Sequence, residues 1–289
     1  MRHSTICTAI LLSIILAGSS PAAEWSAPVA VTSVNTQYDE WTPYLSYDGL
    51  SLYFAQGYSN DSWEFQIFEA KRNQPSGPFT SVNKVYQSYS HVIGPWVSQD
   101  NLRMYYHQET AWTIRMSERA SVNDPWSEGT ILNLDSLNAP LYPSLTADEL
   151  TMVFDSADAD NRNIYLATRT DRNSDFNIQY LSELNTSADD FHPTITPNGL
   201  TMYFCRDDGI YSTTRASLSS PFGNIQHLPI NLPGMNIAQP KISWDGTAMY
   251  FCAAIPGQPG DIYVSYLVPE PATILLLGLG AAFIAKRRR

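Results

Sequence analysis

Hydrophobic and polar positions between residues 24 and 267 follow one pattern written five times. Each copy opens on a proline, passes through a short mixed stretch to an Asp-Gly-like pair, and then enters a dense apolar segment. The copies run from Trp41-Thr-Pro43 to Tyr53-Phe54, Gly94-Pro95 to Tyr105-Tyr106, Tyr142-Pro143 to Val153-Phe154, His192-Pro193 to Tyr203-Phe204, and Gln239-Pro240 to Tyr250-Phe251. Their prolines lie 52, 48, 50 and 47 residues apart. A fixed period of this length marks a repeat architecture, because one unit cannot bury its apolar face alone.

Each copy reads as strand, tight turn, strand. Asp48-Gly49, Asp245-Gly246 and their counterparts supply the positive φ that a two-residue hairpin needs. The segment after the turn is aromatic and β-prone. A third strand is expected around Ile67-Phe68, Ile114, Ile164-Tyr165, Ile210-Tyr211 and Ile262-Tyr263, and a fourth over 79–85, 126–132, 177–184 and 222–228. The fifth copy ends at Tyr266, before any fourth strand. The missing strand lies at the other end: residues 24–31, beginning Glu24-Trp25-Ser26, match residues 125–132, beginning Pro125-Trp126-Ser127. The expectation is an all-β chain, a five-bladed β-propeller of four-stranded antiparallel blades whose N-terminal strand completes the last blade and closes the ring. The Pro, Asp-Gly, Leu-Tyr-Phe and Asp-Ile-Tyr pattern resembles the WD40-like (PD40, TolB-type) propeller repeats. That resemblance implies the fold and leaves the activity open, since propellers carry unrelated functions.

The chain's two ends read differently. Arg2 and His3 precede an apolar stretch, Ile6 to Ala17, and then small residues to Ala23, the layout of a secretory signal peptide over residues 1–23. At the other end Pro269-Glu270-Pro271 breaks the chain before an apolar run, Thr273 to Ala285, and a basic terminus, Lys286 to Arg289. The run is shorter than the ~20 residues of an ordinary spanning helix. The arginines Arg287, Arg288 and Arg289 orient such a segment with its end in the cytoplasm. Residues 268–289 resemble the PEP-CTERM sorting signal of Gram-negative bacteria. The resemblance implies export, recognition by an exosortase-type enzyme, cleavage near Pro-Glu-Pro, and delivery to the cell surface or the extracellular polysaccharide. The membrane is then met only through this tail.

Without its ends, residues 24–267, the propeller proper, hold 12 Lys or Arg against 27 Asp or Glu, a net charge of −15. Such a surface repels nucleic acid and anionic lipid. It also keeps an exported protein soluble. Cys205 and Cys252 remain after the signal is removed, at equivalent positions of neighbouring repeats. That places them too far apart for the ~5.5 Å separation of a bridge, and two buried free thiols are expected.

Candidate chemistry gathers just before the repeat prolines. Asp39, Glu40, His91, Asp189 and Asp190 fall three or four residues ahead of them, where inner strands enter the axial channel. Carboxylates across a channel suit glycosidic cleavage, with Asp39, Glu40 and Asp190 as the catalytic candidates. The competing reading is that these acids cap backbone amides in the repeat's own turns. Twelve residues after each proline stand Ala55, His107, Asp155, Cys205 and Cys252, among which His107 and Asp155 are candidates to hydrogen-bond across blades. The acidic loop from Asp155 to Asn163 loosely suggests Ca²⁺ but lacks the spacing of an EF-hand. No cofactor or bound metal is expected beyond that. Trp63 and Trp112 sit in loops beside the strands and are candidates to stack on sugar rings. No nucleophile elbow, Cys-x-x-Cys, His-Glu-x-x-His or phosphate loop occurs. The expectation is an exported binding module for glycan or protein, with Asp39, His91, Asp189, Asp190, Trp63 and Trp112 as ligand contacts. A five-bladed glycoside hydrolase or lyase is the alternative, and a TolB-like envelope scaffold a second.

Overall fold

The computed structural model describes residues 24–57, 64–85, 91–134, 137, 139–157, 161–207 and 209–268. Residues Trp25–Val268 form one compact unit. Five antiparallel sheets make the blades of a propeller. Blade one holds β3 (Glu40–Leu45), β4 (Ser51–Gly57), β5 (Phe65–Lys71) and β6 (Ser81–Lys84), in that order. Blade two repeats the order with β7 (Val92–Val97), β8 (Arg103–Gln108), β9 (Thr113–Glu118) and β10 (Thr130–Ile131). Blade three uses β11 (Pro140–Leu145), β12 (Thr151–Ala157), β13 (Arg162–Thr168) and β14 (Asn177–Tyr180). Blade four uses β15 (Phe191–Ile195), β16 (Thr201–Arg206), β17 (Gly209–Thr214) and β18 (Gly223–His227). Blade five joins β19 (Asn236–Ile242), β20 (Ala248–Ala254) and β21 (Asp261–Val268) to two short N-terminal strands, β1 (Glu24–Trp25) and β2 (Val29–Ala30).

The N-terminal segment thus supplies the outer strand of the last blade. Val29 faces Val264 and Ala30 faces Tyr263 in antiparallel register. Ser26 N–H donates to the Tyr266 carbonyl at 2.8 Å, and Val31 N–H to that of Ile262 at 2.8 Å. Among the described residues no helix is long and apolar enough to cross a membrane.

The second strand of every blade carries an apolar run at its centre because neighbouring blades cover both of its faces. Leu52, Tyr53 and Phe54, and likewise Met152, Val153 and Phe154, are fully buried. Each such side chain contributes roughly 1.5–3 kcal/mol. The hairpin turns are longer than the two-residue kind their Asp-Gly pairs suggested. β3 ends at Leu45 and β4 begins at Ser51, and only Gly49 takes a positive φ, 69°. The reason is side-chain capping. Ser46 Oγ donates to Asp48 Oδ1 at 2.6 Å and accepts from Ser51 N–H at 2.9 Å, while Leu50 N–H donates to Asp48 Oδ1 at 3.0 Å. Ser98/Asp100, Thr146/Asp148, Thr196/Asn198 and Ser243/Asp245 repeat the device.

Four blades share a further brace. Arg72, Arg119, Arg169 and Arg215 each donate through Nε to a turn carbonyl, of Gly49, Asn101, Glu149 and Gly199. Each guanidinium then stacks on an aromatic ring of the outer segment, Phe79, Trp126, Phe176 and Phe222 in turn. The arginine ties the blade's inner turn to its outer edge and gains a cation–π contact on the way. Cys205 and Cys252 are buried and free.

Candidate functional site

The five inner strands β3, β7, β11, β15 and β19 are interrupted at one equivalent place. Their register shifts between Trp41 and Tyr44, Ile93 and Trp96, Leu141 and Ser144, Phe191 and Thr194, and Ala238 and Lys241. At each bulge the residue before the repeat proline is left-handed: Thr42 (φ 51°), Gly94 (68°), Tyr142 (52°), His192 (51°) and Gln239 (59°). Four of these are not glycine, and such backbone costs of order 1–3 kcal/mol each. Hydrogen bonds between blades hold it. Gly94 N–H donates to Thr42 Oγ1 at 3.1 Å, Thr42 N–H to Gln239 Oε1 at 2.9 Å, and His192 N–H to Asp155 Oδ1 at 3.0 Å. Gly94 has a second task, because a Cβ there would stand 3.1 Å from Tyr142 Cδ1. Bulges re-aim side chains, and here they surround the propeller axis.

A cavity of about 470 Å³ opens above this ring, with Trp41, His107, Glu109, Trp112, Tyr142, Arg162, His192 and Gln239 on its walls. All five blades contribute. Tyr142 stands at the centre: the His192 ring lies 4.3 Å from it edge-on, the His107 ring 5.7 Å away, and the Arg162 guanidinium 5.3 Å over its face. Arg162 also pairs with the fully buried Asp155, Nε to Oδ2 at 2.8 Å. Asp155 spends its other oxygen on His192 N–H.

The two imidazoles carry the site's unusual chemistry. His107 is 1% exposed and His192 6%, and neither ring nitrogen of either has a hydrogen-bond partner among the described residues. The hydrogen bond suggested between His107 and Asp155 is not formed. Burial, and then the Arg162 charge, push His107 down to about 3. Burial, followed by Arg162 and Lys241, holds His192 well below its ordinary value. Both are neutral at physiological pH, each with one N–H donor and one bare acceptor. Glu109 Oε2 is buried without a hydrogen bond, and burial raises its carboxyl above the usual range, partly offset by His91. His91 Nδ1 lies 3.9 Å from that oxygen. Burial lowers the ammonium of Lys241 to about 8 and raises the Cys205 thiol to about 12.

The acids singled out in the sequence sit at two blade junctions rather than together. Glu40 accepts from Thr36 N–H at 2.9 Å, Thr36 Oγ1 at 2.5 Å and Gln56 Nε2 at 2.8 Å. Asp190 accepts from Thr186 N–H at 2.7 Å, Thr186 Oγ1 at 2.9 Å and Arg206 Nε at 2.6 Å. Both are fully buried. Asp39 Oδ1 accepts from Gly260 N–H and Asp189 Oδ1 from Arg162 N–H, each at 2.7 Å. Asn35 and Asn185 complete the pattern: each side-chain amide pairs with both backbone groups of one residue in the neighbouring blade, Ile262 and Ile164. The two junctions share Asn-Thr-x-x-Asp-Glu/Asp, at 35–40 and 185–190. Trp112 reaches the cavity wall, left-handed at φ 50° and 47% exposed. Trp63, Asp158, Asp160 and the tail residues Pro269 to Arg289 lie outside the described residues. No group of three His, Cys, Asp or Glu able to hold a metal occurs among the described residues.

Sequence reasoning passed over Tyr142, His192, Gln239, Glu109 and Arg162. The first three had a visible signal. The position before the repeat proline reads Thr, Gly, Tyr, His, Gln, five different residues inside an otherwise regular motif.

These features define a five-bladed propeller with an axial cavity. Solved structures share the fold. A family 117 glycoside hydrolase from Zobellia galactanivorans aligns at TM-score 0.61 and 12% identity, over 86% of this chain and 93% of that one. A TolB from Agrobacterium tumefaciens aligns at 0.53 and 12%, over 86% and 100%. TolB from Acinetobacter baumannii aligns at 0.50 and 12%, over 82% and 56%. At such identities the likeness is of fold alone. Residues 267–289 match the PEP-CTERM protein-sorting motif, which implies export, membrane passage and recognition by an exosortase in Gram-negative-type bacteria. No curated protein matches the chain.

Proposed function

We propose that this chain is an exported binding module, placed at the cell surface or in the extracellular matrix, whose axial cavity takes a glycan. The observation that carries the reading is the cavity's lining, in which aromatic faces of Trp41, Trp112 and Tyr142 stand beside buried polar atoms that lack protein partners. Aromatic faces with a few convergent polar groups are the usual make-up of a small-molecule site. In this proposal residues 1–23 are removed as a signal peptide and the chain is released or anchored through its tail by an exosortase-type enzyme. Residues 24–31 supply the outer strand of the last blade.

Glycosidic cleavage is a second reading, favoured by the raised carboxyl of Glu109 in the cavity. It needs a second, free carboxylate. Asp155 is committed to Arg162, and Glu40 and Asp190 to their junctions. Binding is therefore the better supported function. The test mixes the full chain, purified in mild detergent, with extracellular polysaccharide from the producing bacterium. Retention without release of reducing ends or unsaturated sugars, lost on Trp112→Ala, supports the proposal. Release of either product overturns it in favour of an enzyme. Neither retention nor release overturns it in favour of a protein partner.

A further inference from the structure

The axial channel is closed beneath the ring of left-handed residues. Tyr142, His192 and Gln239 line the cavity and are themselves buried. Beyond them Tyr44, Trp96, Ser144, Thr194 and Trp244 enclose only about 10 Å³. The space above is thus a blind pocket, toward the small end of the ~300–1,000 Å³ of small-molecule sites. A polymer cannot thread it, and an internal stretch of chain would have to bend sharply to enter.

The pocket's charges balance. Arg162 on the wall pairs with the buried Asp155, and the other charged residue of the wall is the acid Glu109, so an anionic group gains no surplus of positive charge. What is left over is hydrogen-bonding capacity. His107 and His192, both on the wall, each hold one donor and one acceptor that are buried without a protein partner, and Glu109 Oε2 holds a further acceptor. Hydroxyl groups, which donate and accept together, fit that inventory. Trp112 offers an exposed ring at the wall, where an apolar sugar face can stack.

We propose that the axial pocket binds a neutral glycan end-on, enclosing its terminal one or two sugar residues, with His107 and His192 bonded to hydroxyls and Trp112 stacked on the ring. This rests on the glycan reading above and adds the mode and the charge of the ligand. The experiment titrates the full chain, in mild detergent, with the producing bacterium's extracellular polysaccharide at equal mass, intact and sonicated to shorter lengths. Binding is read by tryptophan fluorescence. End-on binding counts chain ends, so chains about tenfold shorter half-saturate at about tenfold less mass. Reducing the polymer's carboxyl groups to alcohols leaves binding unchanged or tighter. His192→Gln weakens binding about tenfold, and Trp112→Ala, at an exposed position, does the same should the histidine variant fail to fold. Half-saturation at one mass whatever the length overturns the end-on mode while the glycan reading stands. Loss of binding on carboxyl reduction overturns neutrality. Absence of binding at every length overturns this inference and the glycan reading together.

Discussion

Acid should weaken this propeller through His107 before it protonates most carboxylates. The imidazole is buried without a hydrogen bond, and burial with the Arg162 charge takes it from 6.5 to about 3. The folded value lies below the unfolded one. The stabilisation is therefore complete above 6.5 and drains as pH falls toward 3, because the unfolded chain binds a proton the folded chain refuses. Each unit of pH in that window costs about 1.4 kcal/mol. Between about pH 7.5 and about pH 5, His107 alone should remove about 2 kcal/mol. His192, shifted the same way for the same reason, steepens the loss further. The assay is urea unfolding followed by tryptophan fluorescence across that range, for the wild type and for His107→Gln. Carboxylates titrate alike in both, so the difference between the two curves isolates the imidazole. The variant should lose about 2 kcal/mol less than the wild type over the range. Parallel curves would refute the reasoning, and would mean that water already solvates the ring in the cavity.

Three further changes test the ring. Gly260→Ala places a Cβ 2.7 Å from both Cys252 Sγ and Trp41 Nε1. This overpacking at the closing junction should cost about 1–3 kcal/mol in urea unfolding. Asn35→Ala leaves the Ile262 N–H and C=O without their side-chain partner. About 1–3 kcal/mol should be lost, together with faster protease release of the N-terminal strand, whereas Asn185→Ala should destabilise without freeing that strand. Asp190→Asn breaks the buried pair with Arg206. A loss of about 3 kcal/mol in unfolding is expected, with retention on polysaccharide kept under conditions where the variant stays folded.

The architecture was legible because every copy must solve the same burial problem. Prolines, Asp-Gly pairs and Met-Tyr-Phe runs recur in register, and even the displaced outer strand could be found from Trp25 matching Trp126. Turn length was less legible. Asp-Gly says that one residue needs a positive φ, but Ser46 and Asp48 cap one another across a longer loop, and that depends on two residues whose spacing alone names no geometry. Arg72 and its counterparts were overlooked for a similar reason. They fall at 29, 24, 26 and 22 residues after the repeat prolines, and unequal loops hide an equal role.

The site was harder to see because acidic residues draw attention in a sequence whether or not their oxygens already have partners in the fold. Glu40 and Asp190 stand where a channel-mouth acid should stand, yet their oxygens are turned back onto Thr36 and Thr186, and the threonines four residues earlier were the sign. Functional capacity lies where partners are lacking. A buried polar atom without a partner is costly, and a left-handed residue ahead of a proline is costly again. Tyr142 and His192 carry the left-handed backbone, His107 and His192 the unpartnered nitrogens, and all three converge on one cavity. The first hairpin turn of each blade is capped by its own side chains, and on the reading proposed above the two costs tolerated at this one point are what a ligand would offset. Bound hydroxyls would return the missing hydrogen bonds, and the ring would then be more stable loaded than empty.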